Sequence, residues 1–334
     1  MVSPANWAVA QPVTVNLSSF GFPPGQVDLP SNVFYISSDL LAIYFDRGEA
    51  TDAPQQNNHP RPHAFLILVF NKKGQVLAQQ TIYGFPKALD IKAGPDDGII
   101  VGREGSMSFY GADLLLRRSM PLASNATGVS YDRRWNQLAV ETIDDASQSR
   151  TVNLLDGVTL KPLESFTLPE RVPFITGNRE IAYTVGGDCR YSTRILSNER
   201  SWNALRGLPT CGFIAFTDDE TLAYAFEQQL YLVSHLGKRI SRQTIPAFDQ
   251  MNLPSFNGIS NDGSRVAIWV WKRRLIRKQG EYPEYREVFV YDLHSHARVF
   301  SHPLITGTAA SALSLDGKQL VTIDDGLLSF YSLP

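Results

Sequence analysis

An all-β ring, a seven-bladed β-propeller with its last blade completed by the N-terminal strand, is the fold predicted by three features of this 334-residue sequence. Short segments that alternate between apolar and polar residues recur along the chain, and Asp, Asn and Gly turns separate them. Within them a bulky–small–bulky core returns seven times: Leu41-Ala42-Ile43, Ile100-Val101, Leu138-Ala139-Val140, Ile181-Ala182-Tyr183, Leu222-Ala223-Tyr224, Val266-Ala267-Ile268 and Leu320-Val321-Thr322. Their centres lie 59, 38, 43, 41, 44 and 54 positions apart. The propeller-blade period is roughly 40–45 residues, so two of the steps are long. The third feature is a last repeat that is one strand short while an unassigned strand, Pro12–Leu17, precedes the first.

The first blade is expected to use strands near Asn32–Ser37, Leu40–Asp46, His63–Phe70 and Gln75–Ile82. The connection between the first and second strands is Gly94–Gly98 in blade two and Asp132-Arg133-Arg134-Trp135-Asn136 in blade three. Gly177-Asn178, Asp218–Glu220, Asn261–Gly263 and Asp316-Gly317 serve blades four to seven. These residues either tolerate positive φ or bond their own backbone. The acid pairs Asp96-Asp97, Asp144-Asp145, Asp218-Asp219 and Asp324-Asp325 fall at such turns, where Asp caps backbone N–H groups. Blade seven reads as Leu313–Leu315, Gln319–Ile323 and Leu327–Leu333, and pairing with Val13–Leu17 would hide its unpaired edge. Aromatic residues of the third strands, Phe109, Tyr231, Phe289, Tyr291 and Phe330, suit packing between blades.

Composition limits the function. Hydrophobic residues make up 43% of the chain, enough for a packed core in a single domain over residues 11–334. A net charge of −2 argues against a nucleic-acid partner, which needs a cationic surplus. No apolar run is long enough for a membrane-spanning helix. Residues 1–10 read as a leader remnant or a disordered arm, because Ala8-Val9-Ala10 has the small-x-small form that precedes a signal-peptidase cut. The expectation is a periplasmic or secreted monomer, with a cytoplasmic location as the alternative.

Ser260-Asn261-Asp262-Gly263-Ser264-Arg265-Val266 and Ser314-Leu315-Asp316-Gly317-Lys318-Gln319-Leu320 resemble the Ser-x-Asp-Gly-Lys-x-Leu/Val turn of bacterial WD40-like propellers of the TolB and YVTN kinds. The Gly-His and Trp-Asp dipeptides of true WD40 blades are missing, as is a recurring buried His/Ser/Asp set between strands. The resemblance implies the fold and a tendency toward binding and scaffolding. It assigns no site residue.

Candidate sites come from position. The two long steps are explained by B–C loops, Arg47–Pro62 with His59 in blade one and Trp271–Tyr285 in blade six, both expected on one face. The second carries Lys272, Arg273, Arg274, Arg277 and Lys278 beside Trp269, Trp271, Tyr282 and Tyr285, a set able to grip an acidic or planar partner through Arg pairing and stacking. A solvated hairpin whose charges protect its edge is the plain alternative. The expected function is an extracytoplasmic interaction scaffold for a protein, peptide or glycan, with no cofactor. The alternative is a propeller enzyme of lactonase or other hydrolase type, with Lys87, Asp90, Arg171, Asp188, Arg190 and Asn257 at the channel mouth. His294-Ser295-His296 and His302 lie on the far face, and no metal site is expected from them. Cys189 and Cys211, on one face of neighbouring blades, are expected to form a disulfide in an oxidising compartment.

Overall fold

The computed structural model describes residues 11–24, 31–50, 61–85, 89–103, 105–144, 149–168, 174–185, 192–197, 201–203, 213–217, 221–226, 229–234, 238–245, 255–273, 284–304 and 310–334. Among them the strands build a β-propeller of four-stranded antiparallel sheets, seven in number. Naming the strands of each sheet A to D from the axis outward, sheet 1 is Ser31–Tyr35, Leu40–Glu49, His63–Asn71 and Val76–Gly84. Sheet 2 is Asp90–Ala93, Ile99–Arg103, Ser106–Tyr110 and Leu116–Pro121. Sheet 3 is Ala126–Asp132, Gln137–Asp144, Ser149–Asp156 and Pro162–Leu168. Sheet 4 is Phe174–Gly177, Glu180–Val185, Ser192–Ser197 and Ser201–Asn203. Sheet 5 is Phe213–Phe216, Thr221–Phe226, Gln229–Ser234 and Arg239–Thr244. Sheet 6 is Ser255–Ile259, Arg265–Arg273, Glu284–Asp292 and Ala297–Leu304. Sheet 7 is Ala310–Leu313, Gln319–Asp324 and Leu327–Ser332, with Val13–Asn16 as its outer strand.

The bulky–small–bulky repeat has a packing cause. In sheet 1, Leu41 and Ile43 join a buried cluster with Val321 and Ile323 of sheet 7, while Ala42 turns the other way and packs with Ile91, Ile99 and Val101 of sheet 2. The same division holds around the ring. Ile181 and Tyr183 face sheet 3 whereas Ala182 faces sheet 5, and Leu222 and Tyr224 face sheet 4 whereas Ala223 faces sheet 6. The small central residue lets the bulky pair of the next sheet come close, as dense interior packing requires. Sheet 2 corrects the repeat by one position. Ile99 and Val101 face sheet 1 and Ile100 faces sheet 3, so its central residue is Ile100.

Val13–Asn16 pairs antiparallel with Phe330–Leu327, and Leu17 N–H continues the ladder to the Gly326 carbonyl at 2.9 Å. The chain then turns through a short 3₁₀ helix, Leu17–Phe20, whose start is capped by the Asn16 side chain accepting from Ser18 N–H at 2.8 Å. Tyr35 Oη donates to Gln319 Oε1 at 2.8 Å, tying sheet 1 to sheet 7 beside this closure. The terminal strands thus complete one sheet between them.

Two expectations change. The hairpins of sheets 1 and 6 are strand for longer than the sequence suggests. Arg47, Gly48 and Glu49 belong to strand B of sheet 1, with Glu49 opposite His63. Trp271, Lys272 and Arg273 pair with Arg286, Tyr285 and Glu284. Polar residues continue a ladder once the hairpin is registered by the apolar pairs below, which is why the composition shift there looked like a loop. The second change concerns the buried Ser/Asp set. Ser260 and Ser314 are fully buried, each donating to the Asp two residues on, Asp262 at 2.6 Å and Asp316 at 2.7 Å. Each also accepts a backbone N–H from the start of strand B, from Arg265 at 2.9 Å and Gln319 at 2.8 Å. The hydroxyl bridges strands A and B inside one turn, so the recurring set works within a sheet.

Candidate functional site

The inner strands of sheets 2 to 5 surround a cavity of about 410 Å³ along the propeller axis. Its floor is built by the A–B turn of sheet 3, which reaches far beyond its own sheet. Arg133 pairs with Asp97 in the A–B turn of sheet 2 and donates to the carbonyls of Ile36 in sheet 1 and Gly94 in sheet 2. Arg134 is held by Asp132 through Nε at 3.1 Å and Nη2 at 2.7 Å, donates through Nη1 to the Phe216 carbonyl of sheet 5, and lies 4.2 Å over the Trp135 ring. Trp135 meets the Phe216 ring edge-on at 6.1 Å. Asn136 closes the turn with φ +50°, a conformation Asn tolerates. One five-residue turn thus bridges four sheets on the side of the A–B turns.

The other turns on that side interlock. Gly263 has φ +67°, and a Cβ there would sit 1.9 Å from the Thr217 carbonyl oxygen, so only glycine fits. Asn261 N–H donates to the Leu315 carbonyl at 2.7 Å, and Arg265 donates to the Gly317 and Pro334 carbonyls. Burial pushes the Asp262 and Asp316 carboxyls up, but hydrogen bonds from Ser260 and Ser264 and from Ser314 and Lys318 outweigh it and hold both below the usual carboxylate value.

The walls carry charge in pairs. Lys92 Nζ reaches Asp90 Oδ2 at 2.7 Å and the Val129 carbonyl at 2.9 Å. Glu141 Oε1 accepts from Thr127 Oγ1 at 2.7 Å and is paired with Arg150 Nε at 3.1 Å. Thr127 can do this because a bulge between Ala126 and Gly128 places it on that side of strand A. Ser130, Thr176, Phe174 and Phe216 complete the lining, and the end of the cavity away from the floor, at Gly128 and Phe174, lies toward the face that bears the B–C hairpins.

Of the sequence candidates, Asp90 stands beside this cavity and is held by Lys92. Asn257 bonds to the neighbouring inner strand. It occupies a bulge in strand A of sheet 6 and donates to the Ser311 carbonyl at 2.7 Å and to Ser311 Oγ, which also receives Trp269 Nε1. Its role is to join sheets 6 and 7. Trp271, Lys272 and Arg273 lie at the top of the sheet 6 hairpin. His59, Lys87, Arg171, Asp188, Cys189, Arg190, Cys211, Arg274 and Arg277 lie outside the described residues. Sequence reasoning missed Arg133, Arg134, Lys92 and Glu141. The available signal was two consecutive arginines and a tryptophan in a turn where neighbouring blades use Gly, Asn and Asp. At the base of the sheet 1 hairpin, His63 Nδ1 sits 2.8 Å from both oxygens of the buried Asp46, which also accepts Gly48 N–H.

No family model and no curated protein matches this chain. Among solved structures it is similar to the WD40 domain of Neurospora crassa Pan2, at a TM-score of 0.55 and 11% identity, covering 98% of this chain and 95% of that one. It is also similar to the β-propeller domain of the Trilobed protease from Pyrococcus furiosus, at a TM-score of 0.55 and 12% identity, over 92% of this chain and 97% of that one. That domain is described as having an open velcro topology, whereas here Val13–Asn16 pairs with the last strand. At this identity the likeness shows the fold, a β-propeller shared with WD40 domains.

Proposed function

We propose that the protein is an interaction scaffold that uses the face bearing its B–C hairpins. The observation that carries this reading is the asymmetry of the ring. One face is cross-tied by interlocked turns and by Arg133 and Arg134, and among the described residues the two longest B–C strand pairs run toward the other, flanking sheet 7. Strands Leu40–Glu49 and Arg265–Arg273 hold these hairpins in register, so a partner would meet a rigid base. The sequence that follows strand Arg265–Arg273 is cationic, with Arg274 and Arg277 after Arg273, and suits an acidic or planar group on a protein, peptide or glycan. The reading includes the likeness to bacterial propellers carried by the two Ser-x-Asp-Gly turns, a periplasmic or secreted location, and a Cys189–Cys211 bridge, which mass mapping without reductant on natively expressed protein would detect.

The test compares proteins captured from the native host by the wild type and by the Arg273→Ser/Arg274→Ser/Arg277→Ser variant. The reading expects a partner lost in the variant at unchanged melting temperature. Identical capture by both proteins would remove the hairpin from the function.

A further inference from the structure

The cavity above the Arg134 floor is too small for a folded partner, but its volume of about 410 Å³ suits a small molecule. Three ion pairs among the described residues border it, Lys92–Asp90, Arg134–Asp132 and Arg150–Glu141, so the charges of its described lining balance. Bonding capacity is nevertheless left over, and it is of both signs. Two Lys92 contacts are accounted for by Asp90 and the Val129 carbonyl, leaving one ammonium hydrogen. Both contacts to Glu141 fall on Oε1, leaving Oε2 without a partner among the described residues.

These two groups converge on one stretch of strand A in sheet 3. Lys92 bonds to Val129, and Glu141 stands directly opposite Gly128 in the ladder. A Cβ at Gly128 would meet only the Glu141 side chain, with Oε2 at 3.7 Å, so the missing side chain leaves that oxygen uncovered. The hydroxyls of Ser130 and Thr176, which make no hydrogen bond among the described residues, line the same space with the Phe174 and Phe216 rings.

We propose that this cavity binds a small zwitterion carrying one carboxylate and one ammonium group, a free α-amino acid or a molecule of the same chemistry. Its carboxylate takes the spare hydrogen of Lys92 and its ammonium bonds Glu141 Oε2, with the hydroxyls of Ser130 and Thr176 beside them. A neutral polyol would fill the space but forgo both charge-assisted bonds, each roughly twice as strong as a neutral one. An ion of either single sign would leave the site with an unbalanced charge.

The experiment is calorimetric titration of the full chain with each of the common free amino acids, their N-acetyl and C-terminal amide derivatives, and neutral monosaccharides, at up to about 10 mM to reach weak binding. At least one free amino acid should bind, with a loss of about tenfold or more on blocking either end. Lys92→Met and Gly128→Val should each weaken binding by a similar factor. A change in melting temperature identifies a Gly128→Val variant that has lost its fold, and Lys92→Met, at a half-exposed side chain, then carries the comparison. The proposal is overturned if no amino acid binds, if the blocked derivatives bind as well as the free ones, if monosaccharides bind instead, or if a folded Lys92→Met protein binds like the wild type.

Discussion

Gly263 and Gly128 show how differently two glycines in one fold are constrained. At Gly263 the positive φ and the Thr217 carbonyl oxygen 1.9 Å from a built Cβ act together, so Gly263→Ala must move a neighbouring backbone. The conformational part alone is about 1 kcal/mol, and the clash adds to it. A drop in the urea midpoint for Gly263→Ala, beside a near-unchanged midpoint for Gly128→Ala, is the expected pair of results. His302 gives a pH dependence. Burial, the largest influence, lowers its pKa from 6.5, against the opposing pull of Asp324 and Glu287, while Tyr331 Oη sits 3.0 Å from its Nε2. The depressed folded value means that the unfolded chain takes up the proton first as pH falls. Its contribution is full above about 6.5 and is lost below it, toward the folded pKa. His302→Phe should therefore flatten the decline in melting temperature between about pH 7 and 5, and an unchanged slope would show that His302 is not its source.

Among the elements, the B strands were the most legible in the sequence because their pattern is a packing rule. Ala182 and Ala223 are fully buried between sheets, and Ala223→Leu should destabilise by about 1–3 kcal/mol through overpacking, measurable by denaturant titration. The single slip, at Ile100, arose where the central residue is itself bulky and the pattern loses its small marker. The hairpin ends escaped because Glu49, after an irregularity at Arg47 and Gly48, and Lys272–Arg273 extend the ladder without apolar alternation. The cavity was hidden for a different reason. Lys92, Asp132, Arg134 and Glu141 come from different strands and turns, each unremarkable in its own segment, and only the closed ring brings them together. The bond of Asn257 to Ser311 was not legible either, because it depends on a bulge in strand A of sheet 6.

For the whole molecule, the ring places the A–B turn of sheet 3 at one end of the space between the inner strands. Arg133 is a cross-tie there, joining the A–B turns of sheets 1, 2 and 3. Arg133→Ala removes the donor to the Ile36 and Gly94 carbonyls, while the half-exposed Asp97 is solvated by water, so a fall in stability of about 1–3 kcal/mol is expected on thermal denaturation. Closure itself rests on four residues at the N-terminal side, Val13–Asn16, laid along Leu327–Phe330. Amide hydrogen exchange of the intact protein in native buffer tests this most directly. Closure predicts that the amides of Val13–Asn16 that donate to the ladder are protected, and lose protection together with the last strand when denaturant is added. Exchange of residues 11–18 at the rate of an unstructured peptide, while residues 327–332 remain protected, would contradict it.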